Sequence, residues 1–120
     1  MTAMETVLLV EDDAEIRGLI EDAFQDRGLS VATADNDQAA FALLEARSFK
    51  LLVADINLGE GADGFDVARH ARRLNPELKV IYITGQAAQF GKYGVEGGEI
   101  FPKPFNPNEL ADRVIAAIGP

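Results

Sequence analysis

Three short, uninterrupted apolar runs constrain this chain more than any other feature. They are Val7-Leu8-Leu9-Val10, Leu51-Leu52-Val53-Ala54 and Val80-Ile81-Tyr82-Ile83. A four-residue run with no polar alternation describes a strand covered on both faces, and strands of that kind belong to parallel sheets. Parallel neighbours need crossover connections, so helices should separate the runs. The sequence supplies them. Ile16, Leu19, Ile20, Ala23 and Phe24 recur at helical spacing, and Gly28 stands where that helix would stop. Residues 29–34 read as a second strand, and Phe41, Leu43 and Leu44 mark a second helix ending near Arg47.

The later part follows the same alternation. Residues 57–64 hold three glycines without apolar periodicity and read as a loop. Phe65, Ala68 and residues 71–74 support a third helix, with Pro76 beyond its end. Ile100 and Phe101 form a minimal fifth strand, and Asn106-Pro107 opens a last helix as N-cap and first-turn proline. Its stripe is Leu110, Val114, Ala117 and Ile118. Between positions 85 and 98 lie five of the eleven glycines. Glycine costs about 1 kcal/mol per helical position relative to alanine, so a helix there should be short, frayed or absent. The reading is one α/β domain over residues 1–120, a doubly wound parallel sheet of five strands.

Several functions are excluded by composition. The chain has no cysteine and one histidine, His70, which rules out thiolate or multi-histidine metal sites and a cysteine nucleophile. His70, beside arginines on the third helix, reads as a surface residue. A phosphotransfer histidine domain would need a helical bundle, which the strands deny. Twenty acidic against eleven basic residues give a formal charge of −9, opposing direct contact with nucleic acid phosphates. Arg69, Arg72 and Arg73 are the best basic cluster and read as a solvated helix face. No apolar stretch approaches the roughly 20 residues of a membrane span, and the N-terminus lacks a signal-peptide pattern. The expected location is the cytoplasm.

The chemistry collects where the strands end, outside whose carboxyl ends an open parallel sheet places its ligands. Strand one runs into Glu11-Asp12-Asp13, strand three into Asp55, strand four into Thr84 and strand five into Lys103. Two carboxylates about 4 Å apart repel by roughly 4 kcal/mol at an effective dielectric of 20. Converging Glu11, Asp12 and Asp55 therefore need protons, a cation partner or a metal, and a hard divalent ion such as Mg²⁺ suits oxygen ligands best. Such a set would bring a phosphoryl group to a carboxylate. Asp13 is expected to cap the first helix.

These residues, in this order and at these strand ends, resemble the receiver domain of bacterial two-component response regulators across essentially the whole chain. Lys103-Pro104-Phe105 completes the pattern. The resemblance implies a flavodoxin-like strand order, 2-1-3-4-5. It implies that Asp55 takes a phosphoryl group from a histidine kinase or a histidine phosphotransfer protein of a phosphorelay. Asp12 would bind Mg²⁺ directly, Glu11 partly through water, and Asp55 and the backbone carbonyl of Asn57 would complete the protein ligands. Lys103 would pair with Asp55 and then with the phosphoryl group. Thr84 would swing towards the phosphoryl oxygens and switch protein contacts, and the Lys103–Pro104 peptide would be cis. A domain of this kind catalyses only its own phosphorylation and dephosphorylation.

Three features depart from the family pattern. Gly59 stands where receivers carry a proline, in a loop one residue longer than usual. The interval from Thr84 to Lys103 is shortened, and Ile100 occupies the place of a switching aromatic three residues before the lysine. Phe101 is adjacent, but its side chain should face the other way. The chemistry is expected to be intact and the output altered. Two other classes compete. One is a pseudo-receiver that binds partners without phosphate. The other is a Mg²⁺-dependent aspartyl phosphatase, disfavoured because Asn57 holds the position of its second aspartate. No output domain fits after Pro120, so the chain would act through protein contacts or be a receiver cut from a longer one.

Overall fold

Residues 6–58, 63–85 and 95–119 are described by a computed structural model of the protein. The apolar runs become strands buried along their whole length: β1 (Val7–Val10), β3 (Leu51–Asp55) and, after its first residue, β4 (Lys79–Thr84). Two further strands, β2 (Val31–Ala34) and β5 (Glu99–Pro102), form the edges. All pairings are parallel and the order is β2-β1-β3-β4-β5, as expected for a doubly wound sheet.

Four helices among the described residues cover the two faces. On one face, α1 (Ala14–Asp26) and α4 (Pro107–Ile118) bury Ile20, Phe24, Leu110 and Val114 against Leu9, Val53 and Ile81. On the other, α2 (Asp37–Ala46) and α3 (Gly64–Leu74) bury Leu44, Phe65, Val67 and Ala71 against Leu8, Leu52, Val80 and Tyr82. Strand alternation splits the residues this way, because neighbours along a strand face opposite sides. Phe101 joins the α1/α4 core and Ile100 the α2/α3 core, as that alternation requires.

Local chemistry sets the helix ends. Asp13 accepts the N–H groups of Glu15 and Ile16 at 2.9 and 3.1 Å, a cap worth about 1 kcal/mol. Gly28, at φ 80°, closes α1: its N–H reaches the Gln25 carbonyl, and the N–H of Leu29 reaches that of Phe24. Asp63 and Asp66 form a reciprocal capping box on α3.

Three expectations need correction. Strand two begins at Val31, because residues 28 and 29 are used in the α1 stop. His70 is not on the open surface. It is half-buried between α2 and α3, with its ring 4.6 Å from Phe41 and its Nε2 3.5 Å from a Glu45 carboxylate oxygen. Arg72 also departs from a solvated face, since its Nε donates to the Leu78 carbonyl at 2.6 Å. The short or absent helix expected within positions 85–98 falls largely on residues 86–94, outside the described residues, and Gly59 lies outside them too. Among the described residues, no helix is long and apolar enough to cross a membrane.

Candidate functional site

Register builds the site. Val10 pairs with Ala54, so the residues that follow them, Glu11 and Asp55, emerge side by side at the carboxyl end of the sheet. By alternation both continue the α1/α4 face of their strands. Asp55 is 3% exposed and Glu11 fully buried, while Asp12 next to them is exposed. Ligand oxygens of Glu11, Asp12 and Asp55 all lie within 4.8 Å of one another.

Among the described residues, one ammonium reaches this cluster. Lys103 Nζ donates to Asp55 Oδ2 at 2.9 Å and lies 3.6 Å from Glu11 Oε2. Its backbone N–H donates to the Thr84 carbonyl at 2.8 Å, and the Lys103–Pro104 peptide is cis. The other Asp55 oxygen, Oδ1, accepts the N–H of Asn57 at 2.9 Å. Asn57 is exposed beside the cluster. Thr84 is completely buried at the end of β4. It is two residues beyond Tyr82 and shares that residue's side of the strand, on the α2/α3 face.

The charges do not cancel. Burial pushes the Glu11 carboxyl up to about 8, and the neighbouring Asp55 carboxyl adds to the rise against the opposing pull of Lys103. Lys103 is displaced upward: burial would lower it, but its contacts with Asp55 and Glu11 prevail. Glu11 Oε2 is buried, and among the described residues no hydrogen-bond donor reaches it. A buried acceptor left in this state costs about 1–3 kcal/mol. A hard cation placed among three carboxylates removes that cost, so the donor set fits a divalent ion with oxygen ligands.

Two residues near the rim escaped the sequence reading. Arg17 Nη1 donates to the Glu11 carbonyl at 2.9 Å, fixing the turn that presents the acids. Its position on the helix carries no local mark of this contact. Gly64 begins α3 directly against β3: a Cβ there would lie 2.3 Å from the Asp55 carbonyl oxygen. The Asp63-Gly64 dipeptide was the available signal, a cap followed by a residue small enough to touch backbone. Beside Lys103, an apolar groove of about 460 Å³ runs between α1 and the start of α4, lined by Ile16, Leu19, Ile20, Pro104, Phe105 and Pro107.

Known proteins resemble this chain over most of its length. The family model described as the response regulator receiver domain matches residues 7–115. The response regulator receiver protein CpdR of Brucella abortus (strain 2308) is 32% identical over 114 residues, covering 92% of this chain and 94% of its own. The crystal structure of a response regulator receiver protein from Sinorhizobium medicae WSM419 aligns with a TM-score of 0.89 at 29% identity, covering 96% of this chain and 94% of that one. The response regulator protein TrrA of Thermotoga maritima, solved in complex with Mg²⁺-BeF, aligns with a TM-score of 0.79 at 26% identity over 95% and 99% of the two chains.

Proposed function

This chain belongs to the response regulator receiver family of two-component systems, and from that premise we propose that Asp55 accepts a phosphoryl group from a phosphohistidine and so switches protein contacts. Receiver domains are in general signalling domains and not conventional enzymes. One observation carries the reading: a nearly buried carboxylate, Asp55, lies between a lysine 2.9 Å away and two further carboxylates. An aspartate placed there for structure alone would need one cation and no acidic neighbours.

In this reading residues 1–120 act as one receiver unit in the cytoplasm. An Asp55 oxygen attacks phosphorus, the P–N bond of the donor breaks, and the imidazole leaves with the electron pair. Lys103, now at Asp55, follows the charge onto the phosphoryl oxygens. Thr84 turns its hydroxyl to one of those oxygens. Asp12, Asp55, the Asn57 carbonyl and, partly through water, Glu11 would hold Mg²⁺. When bound, that ion draws charge from the phosphoryl oxygens and offsets the carboxylate repulsion. The apolar groove beside Lys103 offers the donor protein a docking surface that reaches the rim, with Leu19 56% exposed on it.

The test is direct. With Mg²⁺ and a small phosphoramidate donor, the protein should gain the mass of one phosphoryl group, and Asp55→Asn should abolish the gain. An unmodified wild type ends the proposal. Leu19→Asp should slow transfer from a phosphohistidine protein while leaving the small donor unaffected; equal slowing of both would remove the groove from the account. Ile100, where the family pattern has an aromatic, favours the rival reading of a binding module indifferent to phosphate. Partner affinity unaltered by phosphorylation would establish that rival.

A further inference from the structure

The side of the sheet carrying Thr84 holds a contact that the phosphoacceptor chemistry leaves unused. Tyr82, 1% exposed, lies two residues before Thr84 on the same side of β4 and pairs in register with Ile100 of β5. Its ring packs 5.0 Å from that of Phe65, tilted by 60°. Its hydroxyl accepts the backbone N–H of Val95 at 2.9 Å.

The short turn entering β5 is fitted to this ring. The N–H of Gly98 closes on the Val95 carbonyl at 2.9 Å, and Gly97 takes φ 76° to allow it. A Cβ on Gly98 would lie 3.0 Å from Tyr82 Cε2, so a larger residue would crowd the ring. The chain thus leaves β4 at Thr84 and is caught again by β4 itself, through Tyr82, before it enters β5. Ile100 has no polar atom in its side chain and cannot make such a tie.

We propose that Tyr82 is the positioning residue that couples Thr84 to the turn before β5. Its hydroxyl holds residues 95–98 in the resting arrangement, and rearrangement at Thr84 on phosphorylation releases Val95. The inference rests on the phosphoacceptor reading and adds its regulation. A bond present at rest and lost on activation opposes activation, so removing it must favour the activated state by the same free energy.

The experiment uses the full chain with Mg²⁺ and beryllofluoride as the phosphate mimic, comparing wild type with Tyr82→Phe, which keeps the ring. In wild type, the Val95 amide should exchange slowly with solvent and speed up several-fold when the mimic binds. Tyr82→Phe should show fast exchange at Val95 without the mimic. It should also bind the mimic more tightly by about two- to tenfold, the range set by one neutral hydrogen bond. Equal Val95 protection with and without the mimic, or unchanged or weaker binding by the variant, overturns the inference while leaving the phosphoacceptor reading in place. Failure of the wild type to bind the mimic at all overturns both.

Discussion

The two faces of the sheet end differently at the same rim. On the α1/α4 side, Glu11 and Asp55 continue their strands as buried carboxyl groups and Lys103 closes on them. On the α2/α3 side, Thr84, Tyr82 and Ile100 are neutral, and Tyr82 accepts a hydrogen bond from Val95. The charged side is fixed by the register of three strands, so a displacement of any strand by one residue would turn a ligand to the wrong face. On the neutral side, the hydrogen bond from Val95 to Tyr82 is worth about 1 kcal/mol. In the proposed reading, the chemistry is therefore anchored in the sheet, whereas its readout would be held by something a modest free energy can undo.

The largest effect that would test this division is at Lys103. Lys103→Ala removes the one ammonium that faces Asp55 among the described residues. Loss of a single preorganised charge partner typically slows a reaction by about 10²–10³. Phosphoryl uptake followed by mass should fall by that order, while protection of the Val95 amide at rest stays at the wild-type level. A change at Val95 without the mimic would mean that the two sides are not separate.

Next is a pH effect confined to the charged side. The folded metal-free protein holds a proton on Glu11 up to about pH 8, whereas an unfolded chain releases it near 4.5. The folded state therefore binds more protons across that interval, and its stability falls as pH rises through it. Every tenfold gain in proton affinity on folding corresponds to about 1.4 kcal/mol, so the loss should reach the order of a few kcal/mol by pH 8. The melting temperature without metal should decline from pH 5 to 8, and Glu11→Gln should flatten the decline. A melting temperature rising over that range would contradict the burial of Glu11.

The same division explains what could be read from sequence. Glu11, Asp55, Thr84 and Lys103 were legible because each marks the point where an apolar run or edge strand gives way to a polar residue, and the parallel order brings such points together. Asn106 and Gly28 were legible because caps act within one turn of chain. The contacts of Arg17 with the Glu11 carbonyl, of Tyr82 with Val95 and of His70 with Phe41 were not. Each joins segments whose spacing carries no periodic signal, and each depends on how one helix or turn seats on its neighbour.

Gly64 joins the two sides, since it presses on the Asp55 carbonyl and the next residue, Phe65, packs on Tyr82. Alanine is the better helix former by up to about 1 kcal/mol. An added Cβ would meet backbone there, which yields less readily than a side chain. Overpacking of this kind costs about 1–3 kcal/mol, so Gly64→Ala should lower stability to denaturant. A more stable variant would mean that α3 stands further from β3.

The smallest expected effect separates shape from hydrogen bonding on the neutral side. Ile100 is partly buried against the core that holds Tyr82, and Ile100→Val removes one methylene beside the ring. The loss should be about 0.5–1.5 kcal/mol of stability, near the lower end because the site is not fully buried. Val95 keeps its partner in this variant, since the Tyr82 hydroxyl is untouched. Beryllofluoride affinity should therefore match wild type, in contrast to the tighter binding expected of Tyr82→Phe. If Ile100→Val tightened binding as much as Tyr82→Phe, the tie would lie in the packing of the β4–β5 pair, and the hydroxyl of Tyr82 would be incidental to it.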